Sequence, residues 1–296
     1  MPDSIHLSHP TPFTPITLKQ PQAEVLPFIA DSPHSGIKYP ADFNFSIPFH
    51  ILRTGEDTDI DALWQTIPEV GGTLLAAEFP RSYIDPNRNV DDIDIAMFTT
   101  YWPKKTTPTE KSRSGAGLIW TLAHYMDETF AVYDRLLEPQ EVQDRIDCYY
   151  KPYHQTLSEQ VNQLYTRFGC LWHLNLHSMP AAAYKSLRQN SGDKQLADFV
   201  LGNRDGTTCS NEFIHFVADI LKDKGYTVAL NDPYKGVALI ANIGNPAQNR
   251  HSLQVEVHRK LYMHEDTRER NNHFQQLQHD LADVTQKIAV YIKSKL

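Results

Sequence analysis

The chain has 296 residues, 41% of them apolar and 22% charged, and carries a formal net charge of −8. That mix suits a folded core large enough to enclose a site, while a negative overall field disfavours nucleic acid as the main partner and requires a local group of arginines for any anionic ligand. No apolar run reaches bilayer-spanning length, residues 1–25 lack the basic start and apolar stretch of a signal peptide, and Cys148, Cys170 and Cys209 form no Cys-x-x-Cys pair, which together point to a cytoplasmic protein with reduced, packing cysteines and no membrane partner.

Residues 1–24 are rich in Pro, Thr and His without a clear period and read as an extended arm. VLPFIADSPHSG (25–36) is an apolar run that ends in small and polar residues, the pattern of a buried strand entering a loop. In EDTDIDALWQTI (56–67), Ile60, Leu63, Trp64 and Ile67 share one helical face behind the acidic start Glu56–Asp57, and Gly71–Gly72 end that helix. TLLAAEF (73–79) predicts a strand leading into a polar loop; residues 91–118 read as irregular, and helix is expected from about 120 to 168. Strands follow at 170–180, 197–210 with a turn at Asp205–Gly206, 226–236 and 252–263, with a helix over 211–225. The last thirty residues place Phe274, Leu277, Leu281, Val284, Ile288 and Ile292 at helical spacing. Strands alternating with helices predict a three-layer α/β/α sandwich with a mixed, largely parallel sheet, and no repeat or Gly/Ser-rich linker divides the chain, so one domain is expected.

In open α/β sheets ligands bind beyond the carboxyl ends of the strands. His34 in SPHSG and His177 in LNLHSMP each end a predicted strand and are the best candidate metal ligands, since neutral imidazole suits zinc and a catalytic zinc takes three protein ligands and keeps one open position. The acidic pair Glu56–Asp57 offers the third ligand, with Asp57 preferred. A single strand-terminal His is more often a loop or core residue bonded to backbone. QVEVHR puts Gln254, Glu256 and His258 on one face of a strand; a buried carboxylate there is either a general base or one half of an ion pair with Arg259 or another arginine.

The loop Arg81-Ser-Tyr-Ile-Asp-Pro-Asn-Arg88 carries two guanidinium forks and an amide suited to a substrate carboxylate, although salt bridges to Asp85, Asp91 or Asp92 are as common a fate for any one arginine. Arg113 in SRSGAG is a weaker candidate for the same task. Tyr150-Lys-Pro-Tyr153-His154 reads mainly as packing. The chain has no Gly-x-Ser-x-Gly elbow, no Walker loop and no Gly-x-Gly-x-x-Gly turn, which removes the usual support for a serine hydrolase, a nucleotide triphosphatase or a Rossmann enzyme.

Taken in order, SPHSG (32–36), EDTDIDALW (56–64), PRSYIDPNRN (80–89), YYKPYH (149–154), LNLHSMP (174–180), VLGNRDGTTCS (200–210), NDPYKG (231–236) and LQVEVHRKLYM (253–263) resemble the N-formylglutamate amidohydrolases over residues 25 to 265. The resemblance implies a carboxypeptidase-like α/β/α fold with one zinc ion on His34, Asp57 and His177. It implies Glu256 as the base, Asn87 and Arg88 as the carboxylate clamp assisted by Arg81, and an N-formyl amide of an acidic amino acid as substrate. His258 stands where an Asn is more usual, and Val237–Ala238 where a second glycine is, so the loop after NDPYKG bears on substrate choice. Two other outcomes stay open: a zinc hydrolase of this fold acting on another N-acyl amino acid or small peptide, and a silent dicarboxylate-binding protein. Oligomeric state is not legible.

Overall fold

The computed structural model describes residues 13–126, 128–186 and 194–296. Its strands are β1 (Ile16–Lys19), β2 (Phe28–Ser32), β3 (Thr73–Ala77), β4 (Leu122–Tyr125), β5 (Glu128–Ala131), β6 (Leu171–Met179), β7 (Phe199–Gly202), β8 (Val228–Leu230) and β9 (Arg250–His258). Seven of them form one sheet in the order β1-β3-β2-β6-β9-β7-β8. The pairs β3–β2, β2–β6, β6–β9 and β7–β8 are parallel, whereas β1–β3 and β9–β7 are antiparallel. The sheet is therefore mixed and largely parallel, as the alternation of elements predicts.

Helices cover both faces. On one face Leu174, Leu176, Leu253, Val255 and Val257 pack with Phe213 and Val217 of the helix Asn211–Lys222 and with the apolar stripe of Phe274–Lys293. Each fully buried Leu, Ile or Val there contributes roughly 1.5–3 kcal/mol of apolar burial. On the other face Ile29, Leu75 and Ala77 belong to a second core with Tyr153, Leu157, Val161 and Leu164 of the helix Lys151–Phe168.

Period-two alternation puts the odd-numbered residues His173, Asn175 and His177 of β6 on one side of the sheet and Leu174 and Leu176 on the other. The parallel register opposes Ser252 to His173, Gln254 to Asn175 and Glu256 to His177, so the two central strands present a buried polar face. This face carries the site.

Local departures from the sequence reading have physical causes. Residues 120–131 are not helical: β4 and β5 pair antiparallel, Leu122 against Ala131 and Tyr125 against Glu128, and helix begins only at Pro139. The hairpin is held by Ala123 and Val132, both buried in the second core. Within the arm, Ile16–Lys19 pair with β3 as an edge strand, and residues 1–12 lie outside the described residues. The helix read over 56–67 shrinks to Ile60–Leu63 because Asp59 adopts a left-handed conformation (φ 66°), which leaves Glu56 and Asp57 in an extended turn before it. Ile60, Leu63, Trp64 and Ile67 are nevertheless all buried. The strand read over 252–263 ends at His258 and turns into a short 3₁₀ helix, Arg259–Leu261. Among the described residues no helix is long and apolar enough to cross a membrane.

Candidate active site

β2 runs directly into the SPHSG loop, and Gly36 lets that loop lie against the backbone after β3. A Cβ on Gly36 would fall 2.3 Å from the Phe79 carbonyl oxygen, so any larger residue displaces the loop that carries His34. Asp57 is tied to the same loop by its backbone N–H, which donates to the His34 carbonyl (2.9 Å). His177 comes from the carboxyl end of β6.

These elements bring His34, Asp57 and His177 together. One ligand atom from each lies within 4.8 Å of the others, a group that could hold a metal ion. The two Nδ1 atoms face one carboxylate oxygen, Asp57 Oδ2, at 3.4 Å from His34 and 3.2 Å from His177. The second nitrogen of each ring meets an acceptor: His34 Nε2 lies 2.7 Å from Asp85 Oδ1, and His177 Nε2 lies 2.7 Å from Asn175 Oδ1. Those contacts call for a proton on Nε2 of each ring and turn Nδ1 toward Asp57. His34 Nδ1 is buried without a hydrogen-bond partner. Burial first, and then His34 and Arg81, outweigh Asp57 and hold the His177 imidazole below its ordinary pKa, so the ring is neutral. With both protons on Nε2, the three atoms that face one another are lone-pair atoms, and a cation between them relieves their repulsion. Two imidazoles and a carboxylate are a donor set that fits zinc, with the outer partners that metal-bound histidines usually have.

Asp57 and Glu56 differ sharply. The other oxygen of Asp57, Oδ1, accepts from Ser178 Oγ (2.9 Å) and Arg259 Nη2 (3.1 Å). Burial alone would raise its pKa, but His177, His34 and Arg259 hold it well below the usual carboxylate range. Glu56 is engaged elsewhere, by Tyr39 Oη (2.6 Å), Arg53 Nε (3.1 and 3.2 Å) and Thr58 Oγ1 (3.0 Å).

Glu256 stands opposite His177 on β9 and accepts from Gln254 Nε2 (3.0 Å). Burial, followed by the negative charge of Asp57, pushes its carboxyl up to about 8, against the pull of Arg81 and Arg259. Arg259 itself is spent on Asp57 Oδ1, Ser178 Oγ and the carbonyls of Thr54 and Glu56.

The polar loop after β3 wraps this centre. Asp85 Oδ1 accepts from the Asn87 N–H (2.8 Å) as well as meeting His34, and Oδ2 accepts from Arg81 Nε (3.1 Å) and Nη2 (2.7 Å). Burial would raise Asp85, but Arg81, His34 and Arg88 hold it well below the usual range. Arg88 donates to the Ala116 carbonyl (3.2 Å) and the Asn87 carbonyl (3.0 Å). A guanidinium has five N–H groups, so each of these arginines keeps donors beyond its two hydrogen bonds. Asn87 Oδ1 accepts from the Leu239 N–H (3.2 Å), and its Nδ2 lies 3.1 Å from His177 Nε2. The same ring nitrogen thus meets a donor, the Asn87 amide, and an acceptor, the Asn175 amide oxygen. Arg113 lines a cleft of about 280 Å³ with Met97, Arg135 and Leu136, and none of His34, Asp57, His177 or Glu256 lines it.

The YYKPYH segment braces this loop. Tyr150 Oη donates to the Arg88 carbonyl (2.8 Å), and His154 Nε2 meets the Pro86 carbonyl (2.8 Å). Sequence reasoning passed over Asp31 and Asn175; the signal for Asn175 was its place midway between two histidines at period two. It also passed over Lys111, whose ammonium is held below its ordinary pKa by desolvation and by Arg88 and Arg81. Tyr234 of the NDPYKG loop was missed as well. It packs against Met179 and Val200, and burial followed by the charge of Glu256 pushes its phenol up.

Fold and site together define an α/β protein with a buried His/Asp centre, flanked by a high-pKa carboxylate and a cationic loop. The family model for N-formylglutamate amidohydrolase matches residues 26–263, and the chain belongs to that family. It is 55% identical to a solved N-formylglutamate amidohydrolase from Ralstonia eutropha, with a TM-score of 0.92 over 96% of this chain and 100% of that one. It is 25% identical over 245 residues to the N-formylglutamate deformylase of Pseudomonas putida and 27% identical over 248 residues to that of Pseudomonas aeruginosa, in each case covering 81% of this chain and 83% of the relative. A structure from Agrobacterium tumefaciens shares the fold at 14% identity, with a TM-score of 0.65 over 96% of each chain.

Proposed function

We propose that the protein hydrolyses the N-formyl amide of an acidic amino acid, releasing formate and glutamate from N-formylglutamate, with one zinc ion on His34, Asp57 and His177. The observation that carries this reading is the meeting of His34 Nδ1, His177 Nδ1 and Asp57 Oδ2 in one buried pocket, with Glu256 opposite His177 on the neighbouring strand. The family names of the relatives supply the substrate class. A bound zinc supplies Lewis acidity at the formyl oxygen and makes a water molecule more acidic.

The remaining chemistry belongs to the chain. Glu256 takes the proton of the attacking water and delivers it to the leaving nitrogen as the C–N bond breaks, which yields formate and the free amine. Arg88, Asn87 and Arg81 hold the substrate carboxylates and orient the amide. Arg113 is left out of this clamp because it lines the other cleft. Neither nucleic acid nor a membrane enters the reaction.

The test is formate release from N-formylglutamate before and after exhaustive dialysis against a chelator, with zinc added back. Activity should vanish and return in proportion to bound zinc, near one ion per chain. Full turnover by metal-free protein would end the metal reading, and a preference for N-acetyl or peptide substrates would move the activity to another acyl group. For the clamp, Arg88→Ala should raise KM for N-formylglutamate about 10- to 100-fold, the scale of a lost charge-assisted contact, and change turnover of a neutral formamide far less. Equal losses on both substrates would mean that Arg88 serves only to hold its loop.

A further inference from the structure

The polar face of β6 continues beneath His177 into a chain of buried groups that touch neither substrate nor metal in the mechanism above. His177 Nε2 meets Asn175 Oδ1 at 2.7 Å, and Asn175 Nδ2 donates to Asp31 Oδ1 at 2.8 Å. Asp31 Oδ1 also meets His173 Nε2 at 2.7 Å, Asp31 Oδ2 accepts from Tyr153 Oη at 2.5 Å, and His173 Nδ1 meets Ser252 Oγ at 2.7 Å. Asp31, Tyr153, His173, Asn175 and Ser252 are all completely buried.

An uninterrupted polar row inside a sheet is costly, and apolar residues of similar size would usually be at least as stable. The opposite side of the same strand is in fact apolar, with Leu174 and Leu176. We infer that Asp31 and Asn175 are positioning residues for His177: the Asp31 carboxylate fixes which end of the Asn175 amide faces His177, and the amide oxygen fixes the imidazole with its proton on Nε2 and its bare Nδ1 toward Asp57. The inference rests on the reading of His34, Asp57 and His177 as a metal site and deepens it.

Within Asp31–Asn175–His177 donors and acceptors match in one way, which outweighs the longer contacts of His177 Nε2 with Asn87 Nδ2 (3.1 Å) and of Nδ1 with Asp57 Oδ2 (3.2 Å). A carboxylate only accepts, so Asn175 must turn its NH₂ to Asp31 and its oxygen to His177. With the amide reversed, two oxygens would face each other at hydrogen-bond distance. An amide oxygen only accepts, so this contact, the shortest that Nε2 makes at 2.7 Å, calls for the proton of His177 there. Asp31 is itself held by three donors, from His173, Tyr153 and Asn175. His34 receives the same treatment directly, because Asp85 reaches its Nε2. For His177 the strand register decides otherwise: Asp31 pairs with Asn175, two residues short of His177, and the amide spans the gap. Tyr153 therefore ties the YYKPYH segment to the metal centre through Asp31.

The test uses the full chain. Long-range ¹⁵N–¹H NMR of ¹⁵N-histidine protein, metal-free and with His177 assigned by a His177→Gln variant, reads the tautomer. Zinc affinity is read by competition with a chromophoric chelator, and circular dichroism and thermal unfolding report the fold. The wild type should show His177 as the Nε2–H tautomer. Asn175→Leu and Asp31→Asn should both show mixed tautomers and bind zinc about 10- to 100-fold more weakly, with a native spectrum. Tyr153→Phe, which leaves Asp31 two donors, should stay within about threefold of wild type on the same scale. An Nδ1–H tautomer in the wild type, or wild-type zinc affinity in a folded Asn175→Leu or Asp31→Asn protein, overturns the inference. A wild type that takes up no zinc or other divalent ion overturns the metal reading itself, and this inference with it. Should Asn175→Leu fail to fold, the wild-type tautomer and the milder Asp31→Asn variant still decide.

Discussion

Glu256→Gln is expected to lower kcat on N-formylglutamate by roughly 10²- to 10⁴-fold, the usual contribution of a positioned general base, while zinc content stays at the wild-type level. The same change should stabilise the metal-free protein in alkaline solution. Glu256 is 7% exposed, and burial and Asp57 push its carboxyl up to about 8 in the folded chain, against about 4.3 in an unfolded one. Below about pH 4.3 both states hold the proton, and this group's contribution to stability is at its full value. Between there and pH 8 the unfolded chain releases the proton and the folded chain keeps it, so stability falls as pH rises and levels off above about 8. Gln keeps an acceptor for Gln254 and does not ionise. Its advantage should open across that window at about 1.4 kcal/mol for each pH unit crossed and amount to a few kcal/mol beyond it. Zinc beside the carboxylate lowers its pKa, so bound metal should flatten the slope in the wild type. Urea denaturation against pH, with and without zinc, measures this. Unchanged turnover would remove Glu256 from proton transfer, and parallel slopes for wild type and variant would show that it does not titrate in the window.

Asp57 carries the second large effect, because one carboxylate serves two purposes. Its Oδ2 faces both imidazoles, and its Oδ1 neutralises Arg259, which is 4% exposed. Asp57→Ala should cost about 3–5 kcal/mol, since it strands a buried guanidinium, and should abolish zinc uptake. Asp57→Asn separates the two roles. The amide oxygen can still accept from Ser178 and Arg259, so the loss of stability should be smaller, yet a neutral ligand should weaken zinc binding by orders of magnitude. Glu56→Gln is the control and should retain zinc, because Glu56 is engaged by Tyr39, Arg53 and Thr58. Guanidinium denaturation and zinc competition provide the readouts. Wild-type zinc affinity in Asp57→Asn would strike Asp57 from the ligand set.

Much of this molecule is written in local pattern. The apolar stripe of the last helix, the strands that end at SPHSG and LNLHSMP, and the alternation through 170–180 depend on near neighbours, and the structure follows them. The hairpin β4–β5 was not legible, because short amphipathic stretches satisfy either period until a partner strand and a core are in place. Nor was the truncation of the first helix, which turns on a left-handed Asp59 whose carboxylate is held by Arg270 from far along the chain (2.6 and 2.9 Å).

The sequence by itself determined that the fold is an α/β sandwich and that two strand-terminal imidazoles, an acidic pair and the carboxylate of a Gln-x-Glu strand are the groups with chemistry to offer. Only the tertiary structure set Asp57 rather than Glu56 beside the two imidazoles, gave Arg259 to Asp57 rather than to Glu256, put Arg113 on another cleft and set Asp31 and Asn175 beneath His177. The reason is physical: side-chain identity and period are local properties, whereas the partner of a buried donor or acceptor is chosen by strand register and loop packing between residues more than a hundred positions apart, as Asp31 and His173 are.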